Sequence, residues 1–294
     1  MRSGMIAIIG RPNAGKSTLL NAILKEKVSI ISDKPQTTRN NIQGIYTTDT
    51  CQFVFIDTPG IHKPHHELGR TLNKSAYLSL QDVDLIYLIV DASKPYGSGD
   101  AFLLERLKQY RTPCFLLLNK IDLLKKEELL QHLASWEKRF SFEQIIPLSA
   151  KKEENIEELL KTSEPYLSEG MLLYPKDMVS DHGKTFQTQE IIREKVLLKT
   201  MEEVPHSIAV VVERLHEEEK EVEIDALVIV ERDSQKAILI GKQAAMIKSI
   251  RLLAQKELKA LYGKKCHLSL YVRVEKNWRN RQSKLHQFGY ALEE

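Results

Sequence analysis

Eight consecutive residues, GRPNAGKS (Gly10–Ser17), set two glycines, a lysine and a hydroxyl at the spacing G-x-x-x-x-G-K-[ST]. That spacing is chemistry for a polyphosphate. Glycines let backbone N–H groups close around phosphate oxygens, and a helix starting here turns its positive dipole end toward them. Gly10, Arg11, Pro12, Asn13, Ala14 and Gly15 form the cradle. Lys16 is expected to reach the β and γ oxygens, and Ser17, followed by Thr18, to offer a hydroxyl to Mg2+. The flanks agree: an apolar run, MIAIIG, precedes the loop and a helical run, STLLNAILK, follows it.

Three further motifs choose the base and complete the metal site. DTPG (Asp57–Gly60) follows the run FVFI. Asp57 is expected to anchor Mg2+ through water and the Gly60 N–H to meet the γ-phosphate, with Thr58, Pro59 and Ile61 alongside. NKID (Asn119, Lys120, Ile121, Asp122) ends another apolar run. A carboxylate at Asp122 accepts from both the N1–H and the 2-amino group of guanine, whereas adenine leaves a lone pair unmet. SAK (Ser149, Ala150, Lys151) closes a third run, where main-chain N–H groups would back the guanine O6. NKID or SAK alone is weak; four motifs in this order at the ends of apolar runs read as a GTP site. Between the first two lies KPQTTRNN (Lys34–Asn41), in which a threonine would complete the Mg2+ shell, with Thr38 favoured over Thr37. HKPHH (His62–His66) reads as a solvated loop, because no carboxylate or cysteine completes a ligand set.

These motifs need strands to end on and helices to follow. Residues 1–170 alternate the two patterns, which predicts a largely parallel sheet under helices, with one antiparallel hairpin at NIQGIYTTDTCQFVFID (Asn41–Asp57). Residues 171–187 have no period and read as a linker. Beyond them come an amphipathic helix, two alternating strands (HSIAVVVERL and KEVEIDALVIVE), a glycine turn, the helix AMIKSIRLLAQKELKALY, the strand HLSLYVRV and a basic tail. The length of 294 residues suits two domains, and 42% apolar residues suffice for two cores. Runs such as LIYLIV are far shorter than the ~20 residues of a membrane span. Only nine residues precede Gly10, too few for a signal or transit peptide. Cys51, Cys114 and Cys266 are isolated and odd in number, so they read as reduced thiols. The net charge of +3 hides an asymmetry: residues 213–233 sum to −6 and residues 236–286 to +11. A block that basic is an electrostatic footprint for phosphate.

GRPNAGKSTLLNAIL, KPQTTR, DTPGIHKP, NKID, SAK and the closing Trp278…FGY stand in one order along nearly the whole chain. In that order the sequence resembles the Era family, ribosome-assembly GTPases with a C-terminal KH domain. The resemblance implies an α/β fold with a P-loop GTPase domain over residues 1–170 and a smaller α+β type II KH domain over 188–294. It implies hydrolysis of GTP to GDP and phosphate with Mg2+, binding of 16S rRNA near its 3′ end, and a role in 16S rRNA processing and 30S subunit assembly. It also implies a cytoplasmic monomer with a share peripheral to the inner membrane. Where many signalling GTPases place a water-orienting glutamine, this chain has Ile61, so slow intrinsic hydrolysis is expected. Related GTPases hold a K+ ion partly through the phosphate-loop asparagine; Asn13 is either that ligand or a cap that stiffens the loop. Lys16, Thr38, Gly60 and Asn13 are the expected catalytic set.

KH domains clamp four nucleotides with a G-x-x-G loop between helices. GKQA (Gly241, Lys242, Gln243, Ala244), preceded by Ile240, stands in that place. It departs from the pattern at Ala244, where a Cβ on a left-handed backbone would cost about 1–2 kcal/mol. Lys242, Lys248 and Arg251 would supply phosphate contacts. Trp278 is expected in the core, with Arg279, Arg281 and Lys284 at the rim. The alternative, a GTPase subunit of a tRNA-modification system, brings a large N-terminal domain and a C-terminal cysteine, while this sequence starts with the GTPase motifs and ends ALEE. An inert GTPase fold on an RNA-binding module is opposed by the presence of Lys16, Ser17, Asp57 and Asp122.

Overall fold

The apolar runs of the first half become strands buried on both faces, as a covered parallel sheet requires. The computed structural model describes residues 1–290 apart from Pro35, His65 and Glu203. The first unit runs β1 (Arg2–Gly10), α1 (Lys16–Leu24), β2 (Ile42–Thr47), β3 (Cys51–Asp57), α2 (Glu67–Leu78), β4 (Leu85–Asp91), α3 (Ser98–Leu107), β5 (Cys114–Asn119), α4 (Lys126–Glu137), β6 (Gln144–Leu148), α5 (Ile156–Ser163) and β7 (Ser168–Glu169). The sheet order is β2-β3-β1-β4-β5-β6. β3, β1, β4, β5 and β6 are parallel, and β2 pairs antiparallel with β3, the expected hairpin. β3 and β5 are buried at every position. Parallel strands deliver the ends of β1, β3, β4, β5 and β6 to one edge of the sheet, where such folds bind ligands.

Residues 171–187 are not one linker. Gln52, wholly buried on β3, grips this stretch. Its Oε1 accepts from the backbone of Leu173 at 2.8 Å and Tyr174 at 2.9 Å, and its Nε2 donates to the Tyr174 carbonyl at 2.9 Å. Further on, the Ile45 amide donates to the Val179 carbonyl at 2.8 Å, and Ser180 bridges to Gly44. The last stretch of the first unit therefore ends at Asp181, and the second unit takes the chain from His182 together with two short earlier stretches, one beginning at Ser32 and the other His66–Thr71. The last expected linker residues, 184–187, are the first turn of a helix. The aperiodic composition of a strap that runs along a strand edge is what made it read as a linker.

The second unit runs α6 (Lys184–Lys199), β8 (Ala209–Glu217), β9 (Glu221–Val230), α7 (Asp233–Ile240), α8 (Ala245–Tyr262), β10 (Lys265–Val274) and α9 (Gln282–Gln287). Its sheet is β10-β9-β8, with β9 parallel to β10 and antiparallel to β8. The order α-β-β-α-α-β is that of a type II KH domain. α8 buries Ile250, Ala254, Leu258 and Tyr262, one stripe at four-residue spacing, and leaves Lys248 and Arg251 exposed. Trp278 is fully buried, as expected. It stacks on Tyr290 and meets Phe288 edge-on, and its Nε1 donates to the Ser207 carbonyl at 3.0 Å. Trp278→Ala should therefore cost about 3–5 kcal/mol through the cavity and the orphaned carbonyl. Urea unfolding followed by circular dichroism checks this; an unchanged midpoint would remove Trp278 from the core.

Candidate functional site

β1 ends at Gly10 and α1 begins at Lys16, so residues 11–15 must turn tightly over a helix N-terminus. Asn119, at the end of β5, fixes this turn. Its Nδ2 donates to the Ala14 carbonyl at 2.8 Å, and its Oδ1 accepts from the Ala150 amide at 3.0 Å. Lys120 donates to the Asn13 carbonyl at 2.9 Å and pairs with Asp91 at 2.7 Å. Asn119 and Lys120, expected beside the base, thus join three loops to one another. Asp91 was not expected at the site. Burial would raise its carboxyl, but hydrogen bonds from Lys120 and Ser93 outweigh that and hold it below the usual carboxylate range.

Lys16 is buried, with Nζ donating to the carbonyls of Gly10 at 3.3 Å and Arg11 at 3.2 Å. Burial lowers its pKa to about 8, against the opposing charge of Asp57. Asp57 is completely buried, which raises its carboxyl despite Lys16 and three donated hydroxyls. Its Oδ2 accepts from Ser17 at 2.7 Å, Ser29 at 2.9 Å and Thr38 at 3.3 Å, and the Ser17 and Thr38 hydroxyls lie 2.8 Å apart. Its Oδ1 is buried with no hydrogen-bond partner among the described residues. Hydroxyl and carboxylate oxygens suit a hard cation, and an orphaned buried oxygen is a group that a cation or its water would satisfy. The residues therefore fit Mg2+. Thr38 is the favoured threonine, and its buried hydroxyl does reach this cluster. Ser29 was not foreseen. It is held by Asn21, whose Nδ2 donates to the Ser29 carbonyl at 2.7 Å while its Oδ1 accepts from the Ser29 amide at 2.9 Å.

The remaining nucleotide residues divide. Thr58 turns its hydroxyl onto the Ile8 carbonyl at 2.8 Å. Ile61 is 2% exposed and packs in the apolar core with Ile9, Ile56 and Ala76, so no side chain there faces an attacking water. At the base end, buried Ser149 donates to Asp122 Oδ1 at 2.6 Å, which fixes the plane of an exposed carboxylate. Lys151 is exposed.

In the second unit, α7 ends at Ile240 and the backbone turns at Gly241 with φ 70. A Cβ on Gly241 would lie 2.8 Å from Met246 Cβ and 3.0 Å from its amide nitrogen, so only glycine fits. Ala244 takes the expected left-handed conformation at φ 60, and Gln243 shares it at φ 51. Lys242, Lys248 and Arg251 are exposed, and none has an ion-pair partner among the described residues. Other members of the basic block are engaged: Lys264 pairs with Glu217, Arg273 with Glu213, Arg279 with Glu231 and Lys284 with Glu275.

Residues 5–120 match the family model described as 50S ribosome-binding GTPase, and residues 203–279 match the KH domain. A curated GTPase Era from Leuconostoc citreum is 49% identical across 99% of this chain and 97% of its own length. The chain belongs to the Era family of GTPases. Two solved Era structures match it over both domains. One, Era in complex with MgGDPNP and nucleotides 1506–1542 of 16S ribosomal RNA, is 37% identical with a TM-score of 0.97, covering 99% of this chain and 100% of that one. The other, a substituted Era of Aquifex aeolicus bound to GDP and AlF4−, is 37% identical with a TM-score of 0.96 and the same coverage. Era membership over the whole chain sets aside the tRNA-modification reading. Among the described residues no helix is long and apolar enough to cross a membrane, and no three His, Cys, Asp or Glu side chains gather as a metal site. The HKPHH stretch includes His65, which lies outside the described residues.

Two outcomes are expected of this Era-family site. Asp122→Asn should weaken GTP by about a hundredfold and admit xanthosine triphosphate, whose 2-oxo group accepts from the amide; equal GTP affinity in both proteins would remove Asp122 from base recognition. Lys16 has a depressed pKa without nucleotide, and a bound phosphate would raise it. The complex then holds more protons than the free protein above about pH 8, so affinity falls as pH rises. From about pH 7 to about pH 8.5 GDP affinity should fall about fourfold, and a flat profile in calorimetric titration would contradict the role of Lys16.

Proposed function

We propose that this GTPase is a nucleotide-controlled clamp for the single-stranded 3′ region of 16S rRNA, acting in 16S rRNA processing and 30S subunit assembly. The observation that carries the switch is Thr38, whose hydroxyl, in the loop before β2, reaches Ser17 and Asp57. The RNA assignment is supported by the Era structure that contains MgGDPNP and nucleotides 1506–1542 of 16S ribosomal RNA. It is also supported by the unpaired cations around Gly241. A cytoplasmic location fits three free, buried cysteines.

In this reading Gly10 to Thr18 wrap the phosphates, and Lys16 and the Gly60 N–H meet the β and γ oxygens. Ser17 and Thr38 would hold Mg2+, with Asp57 reaching it through water. The ion's chemistry is to neutralise charge building on those oxygens. Asp122, oriented by Ser149, selects guanine, with Ala150 and Lys151 behind O6. Ile61 leaves water positioning to backbone groups, so the intrinsic rate is slow. Asn13 is the candidate ligand for K+. In the KH unit, Gly241 and its neighbours admit the RNA backbone while Lys242, Lys248 and Arg251 neutralise phosphates.

Two experiments test the proposal. A short RNA from the 16S 3′ end should bind the form loaded with a non-hydrolysable GTP analogue more tightly than the GDP form, by about 1–3 kcal/mol of coupling. Its affinity should fall steeply with salt, and Lys242→Glu should flatten that slope by about one unit. Gly241→Asp should abolish binding. Equal binding by both nucleotide forms, together with a silent Gly241→Asp, would contradict the clamp. K+ should raise turnover above Na+, and Asn13→Ala should erase the difference; identical rates in both salts for the unsubstituted protein would end the K+ reading.

A further inference from the structure

The segment DASKPYGSGD (Asp91–Asp100), from the last residue of β4 to the first turn of α3, lies outside the expected nucleotide motifs, yet the carboxylates at its ends are tied to the phosphate loop, Asp100 directly and Asp91 through Lys120. Asp91 holds Lys120 at 2.7 Å, and Lys120 in turn donates to the Asn13 carbonyl at 2.9 Å. Asp100 Oδ2 accepts from Arg11 Nη1 at 3.0 Å and from the Gly97 amide at 2.9 Å. The Asp100 side chain is only 6% exposed and that of Arg11 42%, so the carboxylate is the fixed partner and the arginine is the group it captures. Gly99 gives independent support. It sits in the first turn of α3, where glycine weakens a helix. A Cβ there would lie 2.9 Å from Arg11 Nε and 3.2 Å from its Cδ, so the arginine stem crosses the helix where it has no side chain.

We propose that Asp100 and Asp91 are positioning residues that hold the phosphate loop at Arg11 and Asn13 and thereby set how long GDP stays bound. The proposal rests on the reading of residues 10–17 as the nucleotide cradle. Release requires the loop amides to part from the phosphates, and a loop tied on both sides of Pro12 opens less often. Neither carboxylate is placed against the nucleotide in that reading, so both act through loop groups. The competing account makes Asp100 only the N-terminal cap of α3, through Gly97. A cap alone would change the melting temperature and leave release untouched.

Stopped-flow release of a fluorescent GDP from the full chain separates these accounts. Asp100→Asn keeps the shape and removes the charge, and should speed release about fivefold. Arg11→Ala, at a side chain exposed enough to truncate without a core cavity, should do the same, so the test survives if Asp100→Asn folds poorly. The double variant should release no faster than either single one, because both remove one contact. Gly99→Ala, which displaces Arg11, and Asp91→Asn, which frees Lys120, should each speed release as well. Release within about twofold of the parent in Asp100→Asn and Arg11→Ala, or effects that multiply in the double variant, would overturn the proposal. Lys16→Ala is the reference for the cradle itself: it should lose GDP, and tight GDP binding by that variant would instead overturn the assignment of residues 10–17.

Discussion

The structure turns on a carboxylate and an ammonium, Asp57 and Lys16, both drawn out of water in the first unit. Burial pushes each toward its neutral form, and their mutual attraction opposes that only in part. Three hydroxyls gather on one oxygen of Asp57: Ser17 from α1, Ser29 from the segment after it, and Thr38 from the loop before β2. The other oxygen has no partner among the described residues. A magnesium-bound polyphosphate would supply what this pair lacks, an anion for Lys16 and a cation for Asp57. Thr38 belongs to a loop while Ser17 lies in the first turn of α1 and Asp57 closes β3, so in the proposed switch the cluster that favours the ligand would also draw that loop inward. Nucleotide binding and loop closure would then be one event.

The second unit treats charge differently. Its acidic β8–β9 stretch pairs with Lys264, Arg273 and Arg279, so part of the positive block is neutralised along the sheet and tail. The cations left exposed without an ion pair include those around the Gly241 turn. There the backbone adopts left-handed conformations at Gln243 and Ala244, each unfavourable for a residue with a Cβ. Strain at a turn flanked by unpaired cations is what a loop shaped for a ligand backbone would show, more than one shaped for stability.

How much of this could be read from the sequence depends on how far each partner lies along the chain. The phosphate loop, DTPG, NKID and SAK were legible because their chemistry demands particular residues at fixed local spacing after a strand. The alternation of strands and helices, and the hairpin of β2 and β3, followed from apolar period. Ser29, Asp91 and Asp100 were not legible: their partners Asp57, Lys120 and Arg11 lie 28, 29 and 89 residues away, and no local pattern marks them. The expected linker failed for the same reason, since one buried side chain, Gln52, fixes residues more than a hundred positions later. Asn119 and Lys120 were found by motif but not by role; only the fold shows that they lace loops together.

If Asp57 is the group that a cation completes, Mg2+ must stabilise the nucleotide complex through it. The most direct measurement is the melting temperature with a non-hydrolysable GTP analogue, in the presence and absence of Mg2+, for the unsubstituted protein and for Asp57→Asn. Mg2+ should add clearly to the stabilisation by the analogue in the unsubstituted protein and add nothing in Asp57→Asn. An equal gain from Mg2+ in both proteins would contradict it.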